Sequence, residues 1–211
     1  MPPKPRFTKE ELVNTALTLV SEKGVEALTA RELAKKLGCS TRPIFTVFTD
    51  MDELKREVRK LAARHVARGA EEAMERSNCL LAAEARTIHF AMQEPNLYKL
   101  VFMTGTGEQE SIEDVLVDTE VAPGKYAAFV REKYGLSERE ATILFAHCWI
   151  YTFGMGALCA TDRITFTDNQ IDVMLNDDFW SMYEHIKGGK QGSKASVPVL
   201  PDRQVGSGLA S

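Results

Sequence analysis

With 211 residues and a formal net charge of −4, the chain is long enough for one large domain or a small one joined to a medium one. Hydrophobic residues make up 44% and charged residues 27%, a balance that excludes a wholly disordered polymer. Charge is unevenly divided, +5 over residues 1–68 and −9 over residues 69–211, so a basic N-terminal third suited to a polyanion precedes an acidic body.

Helix starts are marked by a Ser, Thr or Asp followed three residues later by Glu or Gln, just ahead of an apolar period. The pattern occurs at Thr8/Glu11, Thr29/Glu32, Asp50/Glu53, Ser137/Glu140 and Thr167/Gln170. The first helix is expected over about Lys9–Lys23, with Leu12, Val13, Ala16, Leu17 and Val20 on one face and Gly24 as its stop. A second runs from about Ala30 to Leu37 and ends at Gly38. Ser40 is read as the cap of a short third helix, about Thr41 to Phe48, with Pro43 tolerated in its first turn. A fourth starts after Asp50 and continues to about Met74.

The second half is also read as helical. Helices are expected over Leu80–Gln93 and from Pro95 to about Met103, then one or two over about Glu108–Tyr134 with a break near Pro123-Gly124. Two long helices follow, about Glu138–Ala160 and Asp168–Lys187. From Gly188 the chain is rich in Gly, Ser and Pro, and a disordered tail is expected. No strand pattern and no internal repeat is visible. The fold class is therefore all-α. Its expected parts are a three-helix N-terminal unit (1–50), a larger helical domain joined to it by the fourth helix (51–187), and the tail (188–211).

The decisive stretch is Leu28 to Leu54. Two short helices joined by Gly38-Cys39-Ser40 have helix-turn-helix spacing, and Gly38 supplies the positive φ that the tight turn needs. The front of the third helix reads Ser40-Thr41-Arg42-Pro43. Hydroxyls and an Arg at a helix start suit phosphate and base-edge contacts. The run from Thr29 through Phe48, followed by Asp50-Met-Asp-Glu-Leu-Lys55, resembles the signature of the TetR family of transcriptional regulators over about residues 8–56. Phe45 stands where that family commonly has Tyr.

The resemblance implies a sequence-specific DNA-binding regulator, a repressor released by a small-molecule effector. Ser40, Thr41, Arg42, Pro43, Phe45 and Thr46 would face DNA, with Arg42 as the base reader. Thr29, Ala30 and Lys55 would approach phosphates, and Phe48 would lie in the core. The implied partners are double-stranded operator DNA and a small apolar or amphipathic effector. By the same resemblance the last two helices pair two chains into a homodimer. The interface is assigned to Phe145, Trp149, Thr152 and Gly156 on one helix and to Ile171, Met174, Leu175 and Met182 on the other. An effector pocket is assigned to His89, Met92, Tyr98, Phe102, Met103 and Trp149, with His89 and Tyr98 as polar anchors. The segment Cys148–Leu158 resembles a Trp…His-Gly subgroup of the family, with Phe153 at the usual His position.

Other chemistries lack support in the residues. No nucleophile elbow, phosphate loop or H-E-x-x-H is present, so no enzyme is expected. Cys39, Cys79, Cys148 and Cys159 form no C-x-x-C pair, and His65, His89, His147 and His185 are scattered. Neither a metal nor another cofactor is expected, and a reducing compartment fits. The N-terminus has no apolar run, so no secretory signal is read and a cytoplasmic location is expected. Residues Ala141–Thr161 carry no Asp, Glu, Lys or Arg. They are read as a helix buried on both sides rather than a membrane span, because the other helices are amphipathic and need a core.

Overall fold

The computed structural model describes residues 7–105 and 123–188. The expected helical stretch from Glu108 to 122 and the tail from 189 onward lie outside the described residues. Within them the structure is helical with no strand. Nine α-helices follow one another: α1 Lys9–Lys23, α2 Ala30–Leu37, α3 Arg42–Val47, α4 Met51–Ser77, α5 Leu80–Gln93, α6 Pro95–Phe102, α7 Pro123–Tyr134, α8 Glu138–Ala160 and α9 Asp168–Gly188. A single 3-10 turn, Val25–Ala27, joins α1 to α2.

The helix starts are held by the expected side chains. Thr8 and Glu11 form a reciprocal box at α1, as do Ser137 and Glu140 at α8, and Thr167 and Gln170 exchange the same pair of bonds ahead of α9. Thr29 and Asp50 cap α2 and α4 by accepting from the amides of Glu32 and Glu53. Each such cap satisfies amides that the first turn cannot pair and is worth about 1 kcal/mol. The cap expected at Ser40 is not formed. Thr41 is the N-cap of α3, in αR conformation, and no side chain bonds to the helix start. Gly38 adopts φ 64° and ψ 38°, the left-handed geometry that closes α2.

Three apolar clusters hold these helices together. The first unites α1 to α4 with α6: Leu12, Ala16, Leu19, Leu33, Ile44, Phe48, Leu54 and Val58 pack with Leu97, Leu100 and Val101. Burying each large aliphatic is worth about 1.5–3 kcal/mol, so α6 belongs to the base of the N-terminal unit as much as to the body. The second cluster joins the far half of α4, through Ala70 and Met74, to α5, α7, α8 and Phe179 of α9. The third packs Ile88, Tyr98, Met155, Ile171 and Leu175 where α5, α6, α8 and α9 meet.

Helix α8 sits against α5, α6, α7 and α9. It is 23 residues long with mean hydropathy 1.5 over its most apolar window, enough by length and composition to cross a membrane. Its four helical neighbours bury a little under half of that stretch, and Ile150 stays exposed.

Polar contacts bind α6 to the N-terminal unit. Ser21 Oγ donates to Glu94 at 2.6 Å, and Asn96 Nδ2 donates to the Ser21 carbonyl at 2.9 Å. Arg59 on α4 donates from Nε to the Leu100 carbonyl at 3.1 Å and from Nη2 to the Val101 carbonyl at 2.7 Å. Those carbonyls lie in the last turn of α6, where the helix leaves acceptors unpaired and favours a cation.

Candidate nucleic-acid interface and internal cavity

Helices α2 and α3 form the helix-turn-helix unit. Ile44 and Phe48 are buried and anchor α3 to the first cluster. The opposite side of α3 is open: Ser40, Arg42, Phe45 and Thr46 are exposed, and Thr41 and Pro43 are partly so. A Phe at 48% exposure is unusual for a residue whose burial would be favourable. Thr46 Oγ1 donates to the Arg42 carbonyl at 3.0 Å. Thr29 is exposed and Ala30 half-buried at the front of α2. Lys55 lies 3.7 Å from Asp52, with 42% of its side chain open to solvent. Lys36 is tied to Glu22 at 2.6 Å.

An internal cavity lies in the body between α4, α5, α6, α7 and α8. About 40 Å³ of it admits the centre of a water-sized sphere, room for roughly two or three waters. Aliphatic wall comes from Val66, Ala67 and Ala70 of α4 and from Leu80 and Ala83 of α5. Aromatic wall comes from Tyr98, Phe102, Tyr126, Phe145, Trp149 and Phe153. The rings of Trp149 and Phe153 stack at 5.7 Å, and those of Tyr126 and Phe145 at 5.3 Å. Glu84, Thr87 and Thr152 add polar groups.

Glu84 and Thr152 are buried, at 7% and 4% exposure. Glu84 Oε1 and Thr152 Oγ1 find no hydrogen-bond partner in the protein. The Cys148 thiol donates to the Glu84 carboxyl, but burial, reinforced by the nearby Asp178 carboxylate, pushes the Glu84 pKa up to about 8. Burial and the Glu84 charge likewise raise the Cys148 thiol, which stays protonated. The fully buried Tyr98 has a satisfied hydroxyl, donating to the Phe153 carbonyl at 3.1 Å. Across from that hydroxyl Gly156 leaves no room for a methyl: a Cβ there would lie 2.6 Å from Tyr98 Cζ.

Of the residues assigned to the pocket from sequence, Tyr98, Phe102 and Trp149 line this cavity; His89, Met92 and Met103 do not. His89 Nε2 pairs instead with Asp168 Oδ1 at 3.0 Å, tying α5 to the start of α9. Met92 packs at the edge of the third cluster. Met103 follows α6 and is exposed. The cavity is also lined by Glu84, Thr87, Tyr126, Phe153 and the aliphatic wall of α4, none of them assigned to a pocket from sequence.

Most of the stripe assigned to a dimer interface is packed within the chain. Phe145, Thr152 and Gly156 are buried within the chain; the first two line the cavity and the third backs onto Tyr98. Trp149 lines the cavity as well. Ile171 and Leu175 are buried in the third cluster with Met174 packed against it, and Met182 packs against the second. The outward faces of the last two helices carry other large apolar side chains: Ile150 of α8 and Val173 and Trp180 of α9, each exposed by 45% or more. Among the described residues no group of three His, Cys, Asp or Glu could hold a metal ion.

Residues 12–58, which span α1 to the first half of α4, match the family model of bacterial regulatory proteins, tetR family. Solved structures share the fold over most of the chain. A protein of unknown function from Rhodococcus sp. RHA1 superposes with TM-score 0.67 at 15% identity, covering 86% of this chain and 98% of that one. A protein described as a TetR-family transcriptional regulator from Mesorhizobium loti MAFF303099 gives TM-score 0.58 at 18% identity, with 85% and 95% covered. Another so described, from Vibrio parahaemolyticus, gives 0.56 at 15% identity, with 81% and 95% covered. No curated protein matches the chain.

Proposed function

We propose, from the match of residues 12–58 to the tetR-family model, that the chain is a TetR-family DNA-binding regulator and a cytoplasmic repressor. It would read an operator as a homodimer and release it when a small molecule enters the cavity. The observation that carries the reading is the open side of α3, where Ser40, Arg42, Phe45 and Thr46 face solvent while Ile44 and Phe48 lock the helix from behind. A short helix held by its back and open at its front fits one end into a major groove.

Arg42 is the proposed base reader, able to reach the O6 and N7 of guanine together. Ser40, Thr41, Pro43, Phe45 and Thr46 would complete the contact surface of α3. Thr29, Ala30 and Lys55 would approach phosphates, fixing register without reading sequence. The exposed Ile150, Val173 and Trp180 are the proposed contacts between two chains, since large apolar groups left open on neighbouring helices fit a symmetric interface.

Release would run through α6. Tyr98 and Phe102 line the cavity on one side of this helix, while Leu97, Leu100 and Val101 pack into the N-terminal core on the other. Arg59 grips the end of α6 from α4. A ligand that presses both rings back would push α6 against α1 and α4, and so tilt the reading heads away from the groove spacing. The test is selection of binding sites from random DNA with the wild type and Arg42→Ala. The wild type should yield a pseudo-palindrome. The variant should lose about 1–3 kcal/mol and relax one position in each half-site. An unchanged site profile would remove Arg42 from the reading surface.

A further inference from the structure

The cavity carries more information about its ligand than its aromatic walls alone. Its lining includes one charged side chain, Glu84, and no Lys, Arg or His. Two oxygens of lining residues, Glu84 Oε1 and Thr152 Oγ1, lack protein partners although both residues are more than nine-tenths buried. Buried polar atoms in folded proteins are paired almost without exception, so an unpaired couple in one cavity marks a place where a donor is expected. Thr152 can turn its own proton elsewhere; Glu84, protonated while the cavity is empty, has one O–H of its own and accepts on both oxygens once ionised. The stacked Trp149–Phe153 and Tyr126–Phe145 ring pairs line the same cavity, and aromatic rings attract cations.

We propose that the cavity, widened from its resting size as the rings of Tyr98 and Phe102 are pushed back, takes a small hydrophobic amine in its protonated form, with the ammonium donating to Glu84 and Thr152 and the apolar part held among the rings. The inference rests on the effector reading above and adds the ligand's chemical class. Anions are disfavoured because no cation stands in the wall to offset their charge. A quaternary ammonium, having no N–H, would leave both acceptors unpaired. Binding has a proton balance. Free Glu84 is largely protonated at neutral pH, so the incoming ammonium breaks its O–H bond and the proton leaves to buffer. The groups facing Glu84 that share this balance are Asp178 of α9, Cys148 of α8 and Tyr134 of α7, with His147 of α8 set against Asp178.

The experiment is calorimetric titration of the full chain with three probes of common shape: 2-phenylethylamine, 2-phenylethanol and 3-phenylpropionate. Each is run at pH 7 in two buffers of different ionisation enthalpy. The amine should bind at least tenfold more tightly than the alcohol and release a fraction of a proton, and the acid should not bind. Glu84→Gln, checked for helix content by circular dichroism, should erase the advantage of the amine and the proton release while still admitting the alcohol. Thr152→Val should weaken the amine without abolishing proton release. If the alcohol binds as well as the amine, or Glu84→Gln leaves amine affinity unchanged, the ligand class is wrong while the effector role of the cavity stands. If none of the three probes binds, both readings fall.

Discussion

Two glycines in the body should respond in opposite ways to the same substitution. Helix propensity alone favours alanine over glycine by about 1 kcal/mol in a helix interior. Gly69 lies within α4, and a Cβ there would meet Arg86 Nε at 3.6 Å, an ordinary contact with a flexible side chain. Gly69→Ala should therefore stabilise by about 0.5–1 kcal/mol. Gly156 lies within α8, and its Cβ would sit 2.6 Å from Tyr98 Cζ and 2.9 Å from Cε2. Tyr98 has no exposed surface and its hydroxyl is held by the Phe153 carbonyl. To make room, the ring must shift and that bond must stretch or break. Overpacking of this kind costs about 1–3 kcal/mol, and an unpaired buried hydroxyl a further 1–3 kcal/mol. After the propensity gain, Gly156→Ala should lose about 3 kcal/mol. For a chain of this length that is a fall in Tm of roughly 6–12 °C.

Urea unfolding at one fixed protein concentration gives the numbers, since association would otherwise shift the midpoint. A third arm isolates the cause. In a Tyr98→Leu background the ring's far end is gone, and Gly156→Ala should cost about 2 kcal/mol less than in the wild type, a coupling of the size expected for residues in contact. A neutral or stabilising Gly156→Ala, or a cost that is the same with and without the Tyr98 ring, would refute the packing argument.

Glu84 predicts a pH dependence of stability. Its pKa is raised in the folded state, from 4.5 to about 8, so the folded chain holds a proton that the unfolded chain releases. Stability is full below about pH 4.5 and falls as pH rises towards 8, by about 1.4 kcal/mol per unit from this group. Glu84→Gln should flatten that slope in urea melts at pH 5, 6, 7 and 8; parallel curves would remove the carboxyl from the account. Trp180→Glu places a charge on the outward face of α9 and should convert a dimer to a monomer in sedimentation velocity, with no loss of helix content; an unaltered sedimentation coefficient would move the interface elsewhere. Arg59→Met removes the donors to the Leu100 and Val101 carbonyls and should cost about 1–3 kcal/mol. It should also shrink the drop in operator affinity caused by a cavity ligand, measured by fluorescence anisotropy; a full-sized drop would show that α6 does not carry the signal.

The helix ends were legible in the sequence because caps are local: Thr8, Asp50 and Ser137 meet partners three residues away. The open side of α3 was expected from the resemblance of Thr29–Phe48 to the TetR signature rather than from periodicity, since a helix of six residues is too short to fix a face by period. The cavity was harder. Helix α8 is apolar on every side, so its pattern groups Phe145, Thr152 and Gly156 on one stripe but cannot say whether that stripe faces a neighbour or a second chain. Only the position of α6, through Tyr98, settles it as inward. His89 was read as an anchor because its partner, Asp168, lies 79 residues away. Glu84, by contrast, did leave a local sign. It shares the buried face of α5 with Leu80 and Ile88 at four-residue spacing, and a carboxylate on the apolar stripe of an amphipathic helix is out of pattern.

The four thiols fall into two classes with a practical consequence. Cys148 and Cys159 are buried, with burial raising the pKa of each, so they should resist alkylation. Cys39 in the turn before α3 and Cys79 at the start of α5 are both partly accessible. One rides on the reading head and the other on the body, which gives the wild-type chain two native attachment points for spin or dye labels. Distances between them, followed as operator or amine is added, would report the tilt of the head without any engineered cysteine.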